Sequence, residues 1–292
     1  MIIKSESLIL NSLYKLKRKQ VLSTKIKVLF IGDVVGTKAL NFLCSNIDIL
    51  RQKYSANVVI VNGENVDQGK GLTEEQANKL FELNVDVITT GNHIWDNWKS
   101  RPLLAKNDRV IRPMNYPPGN PGKSFKIFDL GGFTVAVLQL QGRTYMQTID
   151  CPFRAAESAL KIISDKTGII IVDFHAEATA EKISMGWHLD GKVSAVIGTH
   201  THIQTADASI LPGGTAFISD VGMTGPYNSV LGMRKDIALK RFLLQTAHKY
   251  EMADEDYKIS GVSMEIDAET GQAMKIESFM YPKFINSVYE QL

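Results

Sequence analysis

Cysteine is scarce in this 292-residue chain, which holds only Cys44 and Cys151. So few thiols exclude a disulfide-stapled scaffold and a cysteine-rich metal cluster, and they point to a reducing, cytoplasmic setting. His, Asp, Glu and Asn are left as the side chains that could hold a cation. Apolar runs are short too. None approaches the roughly 18 residues of a transmembrane helix, so no membrane partner is expected. Net charge is only +2, which gives no electrostatic reason for broad binding to nucleic acid, without closing that option. Internal repeats and low-complexity tracts are also lacking.

What is present is ordinary for a globular protein: 44% hydrophobic and 22% charged residues, in a chain long enough to bury a core. Residues 1–25 read as an N-terminal extension, helical in outline. Its apolar runs precede the basic stretch Lys15–Lys19, the reverse of a signal peptide. Residues 26–292 read as one domain.

Strands are expected over Lys25–Ile31, Asn57–Val61, Asp86–Thr90, Gly168–Phe174 and Val193–Ile197, and Asn57–Val61 is a continuous apolar run of the kind buried on both faces. Helices are expected from about Lys38 to Gln52, from a cap at Thr73 or a neighbour to about Leu83, over Phe153–Lys166 and over about Lys235–Lys249. Hairpins are expected around Gly131-Gly132 and over Tyr257–Asp267 with Ala273–Tyr281, and Arg101–Lys123 reads as an irregular surface loop. This alternation predicts an α/β sandwich with part of its sheet parallel.

The informative residues stand at the ends of the strands. The apolar runs lead into Asp33, into Glu64 and Asn65, into Asn92 and His93, into His175, and into His200 and His202. Ligands gather at the carboxyl ends of strands in open α/β sheets, so separate segments deliver oxygen and nitrogen donors to one rim. Taken singly, each is a weak signal: Gly-Asp and Asn-Gly-Glu-Asn also describe plain turns. His200-Thr201-His202 is stronger, because in an extended segment residues i and i+2 face one side.

In that order, Gly32-Asp33, Gly63-Glu64-Asn65, Gly91-Asn92-His93, His175 and Gly198-Thr199-His200-Thr201-His202 resemble the calcineurin-like metallophosphoesterase pattern. More narrowly, the chain is similar to the YmdB-type branch in Ile31–Gly36, Asn62–Asn65, Gly91–Asp96, Asp173–Thr179 and Leu211–Thr215. The wider superfamily's Asp-x-His is here Asp33-Val34-Val35, and Glu64 replaces its bridging aspartate; the branch shares both departures. The resemblance implies a metallophosphoesterase-like αββα sandwich with mixed β-sheets flanked by helices. It implies two divalent metal ions, one on Asp33, Glu64, Asn65 and His202, the other on Glu64, Asn92, His175 and His200. Imidazole, carboxylate and amide donors suit Fe, Mn, Zn or Ni. A water bridging such a pair loses a proton near neutral pH and can attack phosphorus.

His93, one residue past Asn92, is expected to stabilise the transition state and protonate the leaving alkoxide. Asp67 and Glu177 are candidates to orient imidazoles. Arg112 and Tyr116 are candidates for a pocket wall, while Trp95 and Trp98 read as core packing. The resemblance implies a phosphodiesterase on small phosphodiesters such as 2′,3′- or 3′,5′-cyclic nucleotides. A phosphomonoesterase on nucleotides or phosphoproteins with the same metals, or a metal-containing regulatory or scaffold protein, are the alternatives. A homo-oligomer is expected on general grounds.

Overall fold

In β1 (Lys25–Ile31) the side chains alternate: Ile26, Val28 and Phe30 enter one core, and Leu29 and Ile31 enter another. That two-residue period places a strand between two apolar layers, and a one-residue slip would exchange every side chain. The computed structural model describes residues 24–284; residues 1–23, and with them the helix expected in the extension, lie outside the described residues.

The first sheet runs β2 (Asp33–Val34), β11 (Met223–Pro226), β12 (Tyr257–Asp267), β1, β3 (Val58–Asn62), β4 (Val87–Thr89), with β13 (Ala273–Tyr281) paired to β12. The second runs β5 (Phe125–Leu130), β6 (Phe133–Gln141), β7 (Ile170–His175), β8 (Ala195–Thr199), β10 (Ala216–Ile218), β9 (Ser209–Ile210). Within them β1, β3 and β4 are parallel, as are β6, β7, β8 and β10, whereas β12 is antiparallel to β1 and β5 to β6. Phe30 and Ile60 from the first sheet meet Val137, Ile171 and Ile197 from the second in one buried cluster, so the sheets pack face to face. Each of these side chains contributes about 1.5–3 kcal/mol by leaving water.

Helices cover the outer faces. α1 (Thr37–Tyr54) buries Ala39, Leu40, Leu43, Ile47 and Leu50 at helical spacing against the first sheet. α2 (Glu74–Glu82) packs in the same cluster and starts in a capping box: the Thr73 hydroxyl accepts from Gln76 N–H at 3.3 Å, and the Gln76 side chain accepts from Thr73 N–H at 3.0 Å. α4 (Pro152–Ile163) and α5 (Thr179–Leu189) line the outer face of the second sheet, completing the αββα order.

Three expectations need correction. The stretch 101–123 is only partly an irregular surface loop: α3 (Ser100–Lys106) opens it, and Val110 and Ile111 are buried and bridge to Ile88 and Lys123. Apolar Leu103, Leu104 and Val110 fill the first core there, Pro102 sits in the first turn of α3, where proline is tolerated, and the remaining Pro-Gly punctuation begins at Pro113. The last helix, α6 (Lys235–Leu244), stops before Lys249, because Gln245 turns left-handed at φ 54 and closes it. Trp98 is 74% exposed and packs in no core, while Trp95 does pack against the first. Cys44 and Cys151 are both free thiols. No helix among the described residues is long and apolar enough to cross a membrane.

Candidate metal centre

The carboxyl ends of β1, β3 and β4 meet those of β7 and β8 at one rim, and there the polar side chains converge. Glu64 and His175 are fully buried. Glu64 Oε1 lies 3.0 Å from His175 Nε2, and the same ring nitrogen lies 3.1 Å from Asn92 Oδ1 and 3.0 Å from His200 Nδ1. The same Glu64 oxygen accepts from Asn65 Nδ2 at 3.1 Å, and Asn65 Nδ2 lies 3.2 Å from His202 Nε2. Asp33 Oδ2 accepts from the His200 backbone N–H at 3.2 Å, and its Oδ1 is 3.9 Å from His175. All seven proposed ligands thus belong to one contact network, with Glu64 in the middle.

Do these residues fit a cation? A single hydrogen on His175 Nε2 serves one of its three neighbours, leaving lone pairs of Glu64, Asn92 and His200 facing each other. Asp33 Oδ1 is buried with no hydrogen-bond partner, a costly state that a positive ion relieves. Ligand atoms of Glu64, His175 and His200 lie within 4.8 Å of one another. The donor set fits divalent ions.

Each imidazole is held by its other nitrogen. His175 Nδ1 lies 2.8 Å from Thr199 Oγ1, whose hydroxyl donates to Asp173 Oδ1 at 2.7 Å, so the chain of donors keeps the proton on Nδ1. Asn62 donates to the other Asp173 oxygen at 3.1 Å. His200 Nε2 faces Glu177 Oε2 at 3.0 Å, and His202 Nδ1 faces the Leu231 carbonyl at 3.2 Å. Such partners aim the remaining lone pair at an ion.

Glu177 therefore meets an imidazole as expected. Asp67 does not: it accepts from Asn97 at 2.7 Å and Gln76 at 3.4 Å, because its turn faces α2. The partner of His93 is Asp96, 2.9 Å from Nδ1 and three residues along a 3₁₀ turn over Asn92–Trp95. That spacing was readable; the Thr199–Asp173 pair and the Leu231 carbonyl meet their imidazoles across folded distance and were not. Arg112 is buried, its guanidinium on the carbonyls of Pro113 and Asn120. Tyr116 is tied to Gln141 and Gln147 and packs 5.1 Å from Trp95. Neither lines the cavity beside the cluster, and their hydrogen bonds brace the loop.

The extended-segment argument for His200 and His202 also needs correction. β8 ends at Thr199, and the two histidines have φ values of 102° and 65°. Side chains other than glycine are strained there, by about 1–3 kcal/mol each. What holds the turn is a buried ion pair, Lys182 Nζ to Asp220 Oδ2 at 2.7 Å; the same oxygen accepts from Thr201 N–H at 3.0 Å and from the Thr201 hydroxyl at 2.7 Å. Nothing in the sequence pattern joined residues 182, 201 and 220.

Without an ion, the cluster balances its own charge. Burial pushes the Glu64 carboxyl up, but His175, His93 and His200 outweigh it and hold it down at about 2. Burial pushes His175 down, yet Glu64, Asp33 and Asp173 raise it to about 9. Burial, only partly offset by His175, raises Asp33 well above the carboxylate range. Burial and the His175 charge drop His200 to about 3. A proton on His175 must therefore leave as a cation enters. Below about pH 9 this competition makes Mn²⁺ affinity rise with pH, by roughly tenfold per unit for each proton displaced. Titrations between pH 6 and 8 check this; an affinity independent of pH would refute it.

Gly91 abuts the same atoms. A methyl there would sit 2.3 Å from His175 Cδ2 and 2.4 Å from Glu64 Oε2, closer than carbon tolerates. Gly91→Ala is expected to lower metal affinity by roughly 10–100-fold, the scale of a displaced ligand support. Elemental analysis of the purified variant measures it.

A family model described as "YmdB-like protein" matches residues 29–279. The chain belongs to the YmdB-like family. A Bacillus subtilis (strain 168) relative named 2′,3′-cyclic-nucleotide 2′-phosphodiesterase is 43% identical over 255 residues, 87% of this chain and 97% of that protein. A crystal structure of a hypothetical protein from Thermus thermophilus aligns with TM-score 0.80 at 39% identity, over 88% of this chain and 99% of that one. A structure described as a novel phosphatase from Mycoplasma pneumoniae aligns with TM-score 0.82 at 32% identity, over 88% and 93% of the two chains. Membership in the YmdB-like family makes the chain a phosphoric ester hydrolase, and Glu64, His175 and His200 stand close enough together to hold a metal ion.

Proposed function

We propose that the protein is a phosphodiesterase that hydrolyses small phosphodiesters, 2′,3′- or 3′,5′-cyclic nucleotides first among them, with two divalent ions drawn from Fe, Mn, Zn or Ni. Support comes chiefly from Glu64, whose carboxylate touches the Asn65–His202 side and the His175–Asn92–His200 side at once. A carboxylate shared in this way offsets the repulsion between two cations. In this reading Asp33, Glu64, Asn65 and His202 hold one ion, and Glu64, Asn92, His175 and His200 the other. When bound, such ions polarise the phosphoryl oxygens and make a water acidic enough to attack near neutral pH.

The protein's own groups complete the reaction. The backbone N–H of His93 donates to Glu64 Oε2 at 3.1 Å, fixing the 3₁₀ turn against the ligand carboxylate. Asp96 holds the imidazole through Nδ1. Burial raises the Asp96 carboxyl, but the hydrogen bonds from His93 and Lys70 outweigh it and keep the group ionised. That leaves His93 Nε2 to serve the cavity. As a P–O bond forms to water and the ester P–O bond breaks, Nε2–H passes its proton to the departing alkoxide.

The M. pneumoniae relative's description as a phosphatase keeps a phosphomonoesterase as the second reading. With added Mn²⁺, bis(p-nitrophenyl) phosphate is expected to be turned over faster than p-nitrophenyl phosphate, by protein in which elemental analysis finds two ions per chain. Faster monoester turnover would favour the second reading, and no turnover of either would end both.

A further inference from the structure

The cavity over the metal cluster, about 760 Å³, is within the range that holds a small organic ligand and larger than a phosphate alone requires. Its lining is mixed in chemistry. Glu64, Asn65, His93, His200 and His202 bring polar groups to it; the segment 230–250 brings Leu231, Met233, Phe242 and Tyr250, with Arg241 and Gln245 flanking Phe242. α6 buries only Ile237 and Ala238, so packing does not explain why Phe242 stands 73% exposed at the cavity's edge. Exposed Leu243 and Leu244 continue the helix but do not line the cavity. Tyr250 lies over Gly69, its ring 3.5 Å from where a side chain there would begin.

We propose that the apolar part of this lining is a nucleobase subsite, with Phe242 as the face on which the base of a cyclic nucleotide stacks while its phosphate meets the metal cluster. This rests on the phosphodiesterase reading and adds to it the part of the substrate that is recognised. A nucleotide matches both parts of the lining: an anionic, oxygen-rich end for the cluster, and a flat ring for the aromatic and aliphatic residues. Stacking is tolerant of base identity, because every base offers a π-face, so the subsite selects nucleotides over other diesters without choosing among bases.

The test compares adenosine 2′,3′-cyclic phosphate with glycerol 1,2-cyclic phosphate, which has the same strained phosphodiester ring and no base, in wild-type Mn²⁺ enzyme and in Phe242→Ala and Phe242→Trp. Phe242→Ala is expected to raise KM for the nucleotide by roughly tenfold or more, the scale of one lost stacking contact, with kcat nearly unchanged. Phe242→Trp restores the wild-type KM, and glycerol cyclic phosphate shows no difference among the three proteins. Turnover of both substrates with the nucleotide KM unmoved in Phe242→Ala, or moved equally for both substrates, overturns the subsite and leaves the phosphodiesterase reading standing. Wild-type enzyme that turns over neither substrate overturns that reading and the subsite with it.

Discussion

His93→Ala is expected to lower kcat by roughly 10²–10⁴ while metal content stays near that of the wild type. The two halves of this expectation come from different atoms. His93 reaches the cluster through its backbone, by the N–H on Glu64 Oε2, and alanine keeps that N–H. Its imidazole contacts Asp96 and borders the cavity, and that is what alanine removes. A proton donor to the departing alkoxide is then lost with the ligand set intact. Substrates with a good leaving group need little protonation, so the loss should shrink with p-nitrophenolate and grow with an alkyl alkoxide. Asp96→Asn should reproduce part of the effect, since it weakens the hold on Nδ1 without touching Glu64. A normal rate in His93→Ala, for both kinds of leaving group, would remove His93 from the chemistry; a parallel loss of metal would make it a structural support.

The parts of this fold legible in sequence share one physical property: their cause is local. β1 matches its expected bounds, and so do both strands of the closing hairpin, β12 and β13, because apolar periodicity and the Glu269-Thr270-Gly271 turn are written in consecutive residues. The Thr73 cap is local too. The seven side chains expected at the metals also converge, since parallel strands bring their carboxyl ends to one rim whatever lies between them. What stayed hidden acts across the fold. Asp173 reaches His175 through a threonine on the neighbouring strand, and Lys182 reaches Thr201 through Asp220. The left-handed turn at His200 and His202 had no glycine to announce it, because the buried ion pair and its hydrogen bonds enforce a conformation that the residues themselves disfavour. The expected convergence was thus reached by a different local geometry: two histidines expected to share the face of a strand meet the cluster from a strained turn.

Glu64→Gln tests the centre of the assignment most severely, because it keeps the shape of the side chain and deletes only its charge. Glu64 is fully buried and touches His175, Asn65 and the His93 N–H, so a glutamine of the same length fills the same space. It does not offset the repulsion of two divalent ions. Metal affinity is expected to fall by more than about 100-fold, beyond the 10–100-fold typical of losing a mere ligand support, and phosphodiester turnover should fall with it. His175 should respond in the opposite sense to its present state: with the glutamate charge gone, burial dominates, and its pKa should drop from about 9. Imidazole chemical shifts in the metal-free variant report this independently of activity. Two ions per chain in Glu64→Gln would refute the shared-carboxylate site. Should the variant lose its ions and its turnover yet sustain the protein's full cellular role, the selected function would be that of a scaffold, and hydrolysis would be incidental to it.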